Sequence, residues 1–396
     1  MGAHRPAAES YRAVLARAPG HGSALYNLGC ALIALDRPEE AVPVLRAARA
    51  RATNPARLVT LADHLAIALM ALGDVAGALE ACRAGLAADP ANALLGWNAA
   101  LGHLSLGDFA QGWPLYEHRW QLAKNPMAPP PPLAALIGRH VLLRAEQGRG
   151  DMIQFARYAP LLAARGVRVT LATYPDLLRL MRTLPDIAVI STEAAEPAHD
   201  VALGLMSLPL VMGTRLETIP PPVACATPAV PVLAPGLRHA ALVVSGAAGN
   251  AADAARSIPA PLFAPLLAVP GWHFHIVQTE WRPADAAFLR ARPNVTDHGA
   301  RLGDFADTAA LLAAMEVVIG VDTSVVHLAG MQARACWVLL PLNADWRWLR
   351  DRADSPWYPR ARLFRQVRRG DWPAVIARVA TALRACHRRT EAPDRL

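Results

Sequence analysis

Lysine is almost absent from this sequence, although the chain is basic. Of the 40 lysine and arginine residues only Lys124 is a lysine, and 32 acidic residues leave a formal net charge of +8. A charged contact with phosphate must therefore come from arginine or histidine. Residues 236–396 carry +6 of this charge, mostly in one arginine series: Arg360, Arg362, Arg365, Arg368, Arg369, Arg384, Arg388 and Arg389. A solvated helix face or a patch for an acidic partner would explain the series, whereas the lack of interleaved aromatics and of a known motif argues against nucleic acid.

Metal-ligand and disulfide patterns are missing as well. The five cysteines are widely scattered, without a CxxC pair or Cys/His ligand spacing, so we expect reduced thiols that fill space in the core. No Asp-x-Asp pair occurs, and a metal ion that bridges carboxylates to a diphosphate is therefore not expected. The sequence predicts neither a bound metal nor a cofactor.

Long apolar runs are absent too, although 54% of the residues are hydrophobic. No stretch reaches the roughly 18 uncharged apolar residues that cross a bilayer. The first residues, MGAHRPAAES, lack the apolar core of a secretory signal. We therefore expect a cytoplasmic protein without a transmembrane segment. A chain of 396 residues is long for one hydrophobic core, so two or three domains are expected.

Three similar phrases divide the first third of the chain: LGCALIALDRPEEAV, LAIALMALGDVAGAL and AALGHLSLGDFAQGW. The acid of the GD pair recurs after 34 residues, at Asp74 and Asp108. Helix pairs of this period resemble tetratricopeptide repeats (TPR), and a non-repeat helical bundle is the alternative. We predict an α-helical TPR domain over residues 1–124, with two full repeats between partial ones. Because the grooves of such arrays bind peptides, we expect a protein or peptide partner there.

The proline-rich stretch KNPMAPPPPLAAL ends the helical pattern and predicts a semi-rigid connector. Beyond it, short apolar runs alternate with helical stretches, which indicates βαβ units and parallel sheets. A second proline-rich stretch, IPPPVACATPAVPVLAPG, divides this region in two. The expected fold class is therefore α + α/β, with the helical array followed by Rossmann-like domains over residues 125–235 and 236–396.

Residues 317–330, VVIGVDTSVVHLAG, join a buried-strand pattern to a helix. Asp322, Thr323 and Ser324, at the junction, are all good helix N-cap residues. The unpaired N–H groups of a first helical turn and the positive end of the helix dipole favour a phosphate at such a position. An ordinary capped helix is the alternative, and at this point both interpretations stay open.

Three segments together resemble one known family: RAEQGRGDMIQFARY, VVSG with a later RSI, and GVDTSVVHLAG. They are similar to bacterial TPR-fused proteins related to glycosyltransferase family 9, the ADP-heptose heptosyltransferases, and more distantly to the O-GlcNAc transferase architecture. The resemblance covers nearly the whole chain, including DWRW, SPWYP and LFRQ near its end. It implies a GT-B fold, in which two Rossmann-like domains face each other across a cleft and the second holds most of a nucleotide-sugar donor.

The resemblance also implies a catalytic base, Asp151, which with Gly150 matches the glycine-aspartate pair of the family. An inverting sugar transfer needs such a group to take the proton of the acceptor. The alternative is structural, because Asp151 and Gln154 have the spacing of a capping box, and one carboxylate can serve both purposes.

By the same resemblance, Asp322, Thr323, Ser324 and His327 bind the diphosphate of the donor. Ser324 stands where the family has glycine, and its hydroxyl can donate a hydrogen bond in exchange. For His327 the alternative is a histidine packed and hydrogen-bonded within the α/β core.

The loop VVSGAAGN is the part that departs most from the family, because it is rich in alanine. Ser245, Gly246 and Arg256 still offer phosphate a hydroxyl, a flexible turn and a guanidinium. Gln278 matches a family position near the nucleotide base, and an ordinary polar residue at a strand end is its alternative.

The sequence thus predicts an inverting, metal-independent glycosyltransferase that moves a sugar from a nucleotide-diphosphate sugar to a protein or saccharide acceptor. The TPR domain would recruit the acceptor or a partner. A non-catalytic TPR scaffold with a degenerate GT-B domain is the alternative, because the VVSGAAGN loop offers few contacts. The aromatic residues near the end of the chain are more typical of packing than of ligand stacking: Trp346, Trp348, Trp357 and Tyr358.

Overall fold

The computed structural model describes residues 3–223, 225–227, 229–246 and 253–391. They form two compact units. Unit 1 comprises Met1–Pro129, Gly213–Leu216 and Asp345–Arg350, and unit 2 comprises Pro130–Met212, Glu217–Ala344 and Asp351–Leu396. Residues 247–250 of the VVSGAAGN loop lie outside the described residues. The domain boundaries at residues 124 and 235 stay predictions.

Unit 1 is a helical array in which each of the first six helices packs against the next one along the chain. Its described helices are α1 (His4–Arg17), α2 (Gly22–Ala34), α3 (Pro38–Arg49), α4 (Pro55–Ala71), α5 (Val75–Ala88), α6 (Ala93–Ser105), α7 (Phe109–Tyr116) and α8 (Arg119–Leu122). The pairs α2–α3 and α4–α5 are full repeats, with α1 before them and the shorter pair α6–α7 after them. The predicted helical repeat array is confirmed.

The GD pairs explain where the second helices of the repeats begin. Gly73 and Gly107 have φ angles of 80° and 78°, a left-handed conformation that glycine adopts without a Cβ clash. Asp74 then accepts a hydrogen bond from the Gly77 N–H at 2.9 Å. Asp108 accepts one at 3.3 Å in the first turn of α7. Each pair therefore turns the chain and caps the helix that follows.

A short segment from late in the chain completes unit 1. The single 3₁₀ turn Trp346–Trp348 packs against α6. The ring centroid of Trp346 lies 5.5 Å from that of Trp113 and 5.8 Å from that of Tyr116, and both of these rings are buried. The segment covers the apolar end of the last helix pair, as a repeat array requires.

Unit 2 contains parallel sheets with connecting helices. Its described strands are β1 (His140–Arg144), β2 (Arg168–Thr173), β3 (Ala188–Ser191), β4 (Val201–Gly204), β5 (Arg238–Val243), β6 (Trp272–Ile276), β7 (Val295–Asp297), β8 (Val317–Val321), β9 (Cys336–Leu340) and β10 (Ala361–Arg365). Its described helices are α9 (Arg149–Phe155), α10 (Tyr158–Ala163), α11 (Leu178–Met181), α12 (Leu208–Val211), α13 (Asp253–Arg256), α14 (Ala264–Leu267), α15 (Pro283–Arg290), α16 (Phe305–Ala313), α17 (Ser324–Met331) and α18 (Trp372–Glu391). Within the described part of the chain, no helix is both long and apolar enough to span a membrane.

The two sheets of unit 2 share one topology. The first has the strand order β3-β2-β1-β4 and the second β10-β9-β8-β5-β6-β7, and all of these neighbours are parallel. In the second sheet the order reverses between β5 and β8, as in Rossmann folds. Ligands of such sheets bind beyond the carboxyl ends of the strands at that reversal. The predicted fold class, a TPR array followed by two Rossmann-like halves, is confirmed.

The burial of the strands agrees with the apolar patterns that predicted them. The structure also contains two strands that the sequence did not predict. Every residue of β8 and β9 is buried, as expected for strands covered on both faces. The unpredicted strands are β4 and β10. Because β10 contains Arg362 and Arg365, the interpretation of this part of the arginine series as a helix face is wrong, and Arg362 lies over the Phe364 ring at 4.7 Å. Arg384 lies on α18, and the side chains of Arg388 and Arg389 are outside those described.

Candidate functional site

Helix α17 begins at the carboxyl end of β8, beside the reversal of strand order. Thr323 is its N-cap residue, with extended backbone angles of φ −144° and ψ 168°, and its side chain makes no capping hydrogen bond. Thr323 Oγ1 is buried and has no hydrogen-bond partner among the described residues. An uncapped helix start next to a hydroxyl without a partner favours an anion at this position.

The loop after β5 is held by Gln278, two residues beyond the end of β6. Gln278 is buried; its Oε1 accepts a hydrogen bond from the Val244 N–H at 3.0 Å, and its Nε2 donates to Ser245 Oγ at 3.1 Å. The side-chain amide of Gln278 therefore shapes the loop that carries Ser245. A contact between Gln278 and a nucleotide base stays a prediction.

Asp253 holds the same loop from another direction. Its Oδ1 accepts hydrogen bonds from the Gly246 N–H at 2.9 Å and from Ser257 Oγ at 2.6 Å, and its Oδ2 accepts one from Arg282 at 2.7 Å. Burial alone would raise the pKa of Asp253, but these three donors outweigh it and lower the pKa below its ordinary value. The Arg256 guanidinium lies so close to Gly246 that a Cβ there would stand 2.6 Å from Nη2. Glycine permits this approach.

A cavity of about 380 Å³ lies between the two halves of unit 2. Five of the predicted site residues line it: Ser245, Gly246, Gln278, Thr323 and Ser324. Arg149 and Asp176 line it from the first half, and Glu280, Asp304, Phe305 and Thr308 are among the lining residues of the second half. The other predicted residues are not among the described residues that line the cavity: Gly150, Asp151, Arg256, Asp322 and His327.

Asp151 lies in the first turn of α9 and caps this helix. Gly148 is the N-cap residue, and its N–H donates a hydrogen bond to Asp151 Oδ2 at 2.8 Å. The predicted capping box of Asp151 with Gln154 is wrong, because Gln154 is fully buried three residues further along and the carboxylate turns back to Gly148. The role of Asp151 as a catalytic base stays a prediction.

Helices α9 and α17 pack directly against each other at Gly150 and His327. A Cβ on Gly150 would stand 2.9 Å from His327 Cδ2 and 3.6 Å from Ser324 Cα. His327 is buried; its Nδ1 lies 2.8 Å from Tyr358 Oη, and its Nε2 lies 3.5 Å from Asp322 Oδ1. The structure therefore places His327 in a packed, hydrogen-bonded contact between the two helices, beside the cavity.

Arg149, Asp176, Glu280 and Asp304 were not predicted as site residues, although all four line the cavity. Asp176 follows β2, and Asp304 is the N-cap of α16, where it accepts a bidentate ion pair from Arg179. Only the tertiary structure brings these segments together. Arg149 did carry a signal, because it is a basic residue next to the Gly150–Asp151 pair in a chain nearly without lysine.

A row of histidines runs across β5, β6 and the end of β7. His275 Nε2 lies 2.9 Å from His239 Nδ1, and His275 Nδ1 lies 2.9 Å from His298 Nε2. Burial, with smaller contributions from the neighbouring histidines, lowers the pKa of His275 to about 3. Burial also lowers the pKa values of His273 and His298. Among the described residues, no group of three or more His, Cys, Asp or Glu side chains is placed to hold a metal ion.

The chain is thus a TPR array followed by two Rossmann-like halves with a cavity between these halves, and its similarities to known proteins follow the same division. Residues 1–65 match the tetratricopeptide repeat family model. Over an alignment of 435 residues the chain is 28% identical to Protein FlbA of Caulobacter vibrioides, covering 90% of this chain and 72% of FlbA.

Two solved glycosyltransferase structures are similar to part of the chain. One is the ADP-heptose lipopolysaccharide heptosyltransferase II of E. coli, at 15% identity and a TM-score of 0.46, covering 64% of this chain and 100% of that one. The other is a glycosyltransferase family 9 protein of Veillonella parvula, at 11% identity and a TM-score of 0.43, covering 63% of this chain and 97% of that one.

Proposed function

We propose that this protein is a glycosyltransferase whose donor is a nucleotide-diphosphate sugar. The observation that carries the proposal is the uncapped start of α17, where Thr323 and Ser324 line a cavity at the strand-order reversal of a Rossmann-like sheet. A diphosphate bound there would accept hydrogen bonds from the first helical turn and from Thr323 Oγ1. The cavity, at about 380 Å³, is within the usual range of roughly 300–1,000 Å³ for small-molecule sites.

The proposed transfer is inverting and independent of a metal ion. The positive end of the α17 dipole and the Arg149 guanidinium would stabilise the negative charge that develops on the leaving diphosphate. The family resemblance assigns proton acceptance to Asp151, two residues from Arg149. Turnover that survives removal of divalent cations by EDTA would support metal independence, and loss of turnover would contradict it.

We further propose that the TPR array recruits the acceptor, a protein or a saccharide, or a partner protein. The first helices of the repeats, α2, α4 and α6, are in contact with one another in sequence. Asn98 on α6 donates a hydrogen bond to Asp63 on α4 at 2.6 Å. The exposed Ile67 and Leu94 lie on the same helices. Apolar side chains beside polar ones suit a peptide partner.

Nucleotide binding tests the donor site. We expect at least one nucleotide or nucleotide sugar of the UDP, ADP and GDP series to raise the melting temperature, because a ligand at 100 times its Kd stabilises the native state by about 2.7 kcal/mol. Thr323→Val removes the hydroxyl that lacks a partner and should reduce the shift. Thr381→Val, on the exposed side of α18, is the matched control and should leave the shift unchanged. A parent protein that responds to none of these ligands contradicts the proposal.

A non-catalytic scaffold is the second candidate function. It is favoured by the positions of Asp151 and His327, which are engaged within the chain and do not line the cavity. Release of nucleoside diphosphate from a donor distinguishes the two functions. A scaffold that senses a nucleotide binds it without releasing nucleoside diphosphate from any donor, whereas a transferase releases it.

A further inference from the structure

A second cavity, of about 450 Å³, lies at the opposite end of the second sheet from the proposed donor site. It is formed where parallel strands begin: Arg238 and Trp272 are the first residues of β5 and β6, and Arg360 directly precedes β10. The five residues of β8, roughly 16 Å of extended chain, separate it from the start of α17. The described residues that line it include three arginines, two tryptophans and one carboxylate: Arg238, Arg334, Arg360, Trp272, Trp337 and Glu316.

One of the three arginines is neutralised within the cavity wall. Arg238 Nε donates a hydrogen bond to Glu316 Oε2 at 2.7 Å, and the Arg238 guanidinium lies over the Trp272 ring at 4.4 Å. Glu316 is the only acidic residue among the described residues that line the cavity. The wall therefore supplies no counter-charge for the other two arginines, Arg334 and Arg360.

Both of these arginines are held in place by backbone carbonyl groups. Arg334 Nη2 donates hydrogen bonds to the carbonyl groups of Ala313 and Met315, the second at 3.1 Å. Arg360 Nη1 donates one to the Ala333 carbonyl at 3.2 Å. No described residue accepts a hydrogen bond from Arg334 Nη1 or Arg360 Nη2. Arg334 is only partly buried and Arg360 is exposed, so a ligand can reach both guanidinium groups.

The charge and shape of the two guanidinium groups favour a phosphate. Like charges that line one cavity repel each other, and an anion bound by both removes this repulsion. The planar fork of an arginine matches the oxygen geometry of phosphate and donates charge-assisted hydrogen bonds to it. A phosphomonoester carries about 1.5 to 2 negative charges near pH 7, which balances the charges of Arg334 and Arg360.

The cavity also has room for more than a phosphate group. Its volume of about 450 Å³ is within the range of roughly 300–1,000 Å³ that is usual for small-molecule sites. The indole rings of Trp272 and Trp337 form part of the wall and offer the organic part of a ligand an apolar surface. Arg360 belongs to the arginine series for which an acidic partner was one interpretation of the sequence.

We propose that this cavity binds a small organic phosphate, such as a sugar phosphate, through Arg334 and Arg360. The two guanidinium groups donate hydrogen bonds to the phosphate oxygens, and the organic part lies along the indole rings. This site goes beyond the proposed donor site and does not depend on it. Strands β5, β6 and β8 have residues of this cavity at their amino ends and residues of the donor cavity just beyond their carboxyl ends, so both ligands can be bound together.

Isothermal titration calorimetry of the full-length chain with glucose 6-phosphate tests the site. We expect glucose 6-phosphate to bind and to raise the melting temperature, whereas glucose at the same ionic strength should do neither. Arg360→Gln changes an exposed side chain and should weaken the binding by about 10-fold or more, because it removes hydrogen bonds to a charged group. Arg334→Gln should have a similar effect, and the melting temperature of the ligand-free variant shows whether it is folded.

Two further variants separate phosphate recognition from a general loss of charge. Arg292→Gln, at an exposed arginine over the Phe288 ring, removes the same charge away from the cavity and should leave the affinity unchanged. Arg360→Lys keeps the charge without the planar fork, so its affinity should lie between those of the parent and Arg360→Gln.

The outcomes distinguish this inference from the proposed function. Equal affinities for glucose and glucose 6-phosphate, or an unchanged affinity in Arg360→Gln or in folded Arg334→Gln, overturn the inference. Binding that is weakened by Thr323→Val and not by Arg360→Gln places the phosphate in the donor cavity and also overturns it. A parent that binds neither glucose 6-phosphate nor inorganic phosphate contradicts this site alone, whereas a parent that binds glucose 6-phosphate and no nucleotide contradicts the proposed donor site alone.

Discussion

The two halves of unit 2 begin the helix after a central strand in opposite ways. In the first half α9 follows β1, and the Asp151 carboxylate accepts the N–H of the N-cap residue Gly148. In the second half α17 follows β8, and Thr323 leaves the helix without a side-chain cap. The N-cap N–H of α9 is thus satisfied by a carboxylate of the same turn, whereas the hydroxyl of the α17 N-cap residue has no hydrogen-bond partner among the described residues. A strand followed by a helix thus carries a carboxylate contact at the helix start in one half, and in the other half the proposed diphosphate site.

The two halves of unit 2 are also joined by hydrogen bonds of Arg157, and removing these bonds should have the largest effect. Arg157 is 3% exposed and donates hydrogen bonds to the carbonyl groups of Gln154, Pro220 and Trp357 at 2.8–2.9 Å. Arg157→Met would leave these carbonyls without their donor, at about 1–3 kcal/mol for each buried group. We expect urea denaturation to show a loss of about 3 kcal/mol or more in the free energy of unfolding.

The matched control for this change is Arg292→Met, at an exposed arginine whose guanidinium lies 4.3 Å from the Phe288 ring centroid. It should cost less than about 1 kcal/mol, the usual scale of an exposed cation–π contact. Equal losses in the free energy of unfolding for the two variants would contradict the stabilising role of the Arg157 hydrogen bonds between the halves.

Acid should weaken the second half through its histidine row. The pKa values of His273, His275 and His298 are lowered in the folded state below the ordinary value of 6.5. Above pH 6.5 these histidines are neutral in both the folded and the unfolded state, so they add no pH dependence to the free energy of unfolding. Below pH 6.5 the histidines of the unfolded state bind protons that those of the folded state do not. Stability therefore falls from about pH 6.5 toward pH 3, by up to about 1.4 kcal/mol per pH unit for each such histidine.

Melting temperatures measured between pH 7 and pH 5 would check this dependence. The variant His275→Gln should show a shallower decline than the parent, whereas His4→Gln, at an exposed position on α1, should decline like the parent. If His275→Gln keeps the full slope, the histidine row is not the source of the acid sensitivity.

The smallest effects should come from the two helix starts themselves. Asp151→Ala removes a cap and should lower the free energy of unfolding by about 1 kcal/mol. Thr323→Val removes a buried hydroxyl that has no partner among the described residues, so stability should be unchanged or slightly increased. Urea denaturation of both variants without ligand checks the contrast, and a clear loss for Thr323→Val would show that its hydroxyl has a structural partner.

Features with a local cause could be predicted from the sequence. The β-branched run Val317–Val321 predicts a buried strand, and the N-cap residues that follow it predict the start of α17 within one residue. The GD pairs at Asp74 and Asp108 predict the repeat turns, because glycine and an N-cap acid act on their own immediate neighbours.

Features that depend on distant parts of the chain could not be predicted. Strand β10 was missed because Arg362 and Arg365 interrupt its apolar pattern, as an edge strand allows. Asp176 gave no signal as a lining residue, because only the tertiary structure brings the turn after β2 to the cavity. The capping partner of Asp151 was assigned wrongly because spacing alone does not show that Gln154 points into the core.

The closure of the last repeat has a consequence for how the protein is made. Trp346, which covers Trp113 and Tyr116, follows Trp113 by 233 residues. At a synthesis rate of about 5–20 residues per second, the ribosome completes the repeats roughly 10–50 seconds before their cover emerges. During that interval we expect the two rings to be open to chaperones or to other nascent chains. A fragment that stops at residue 129 would remain in this state permanently.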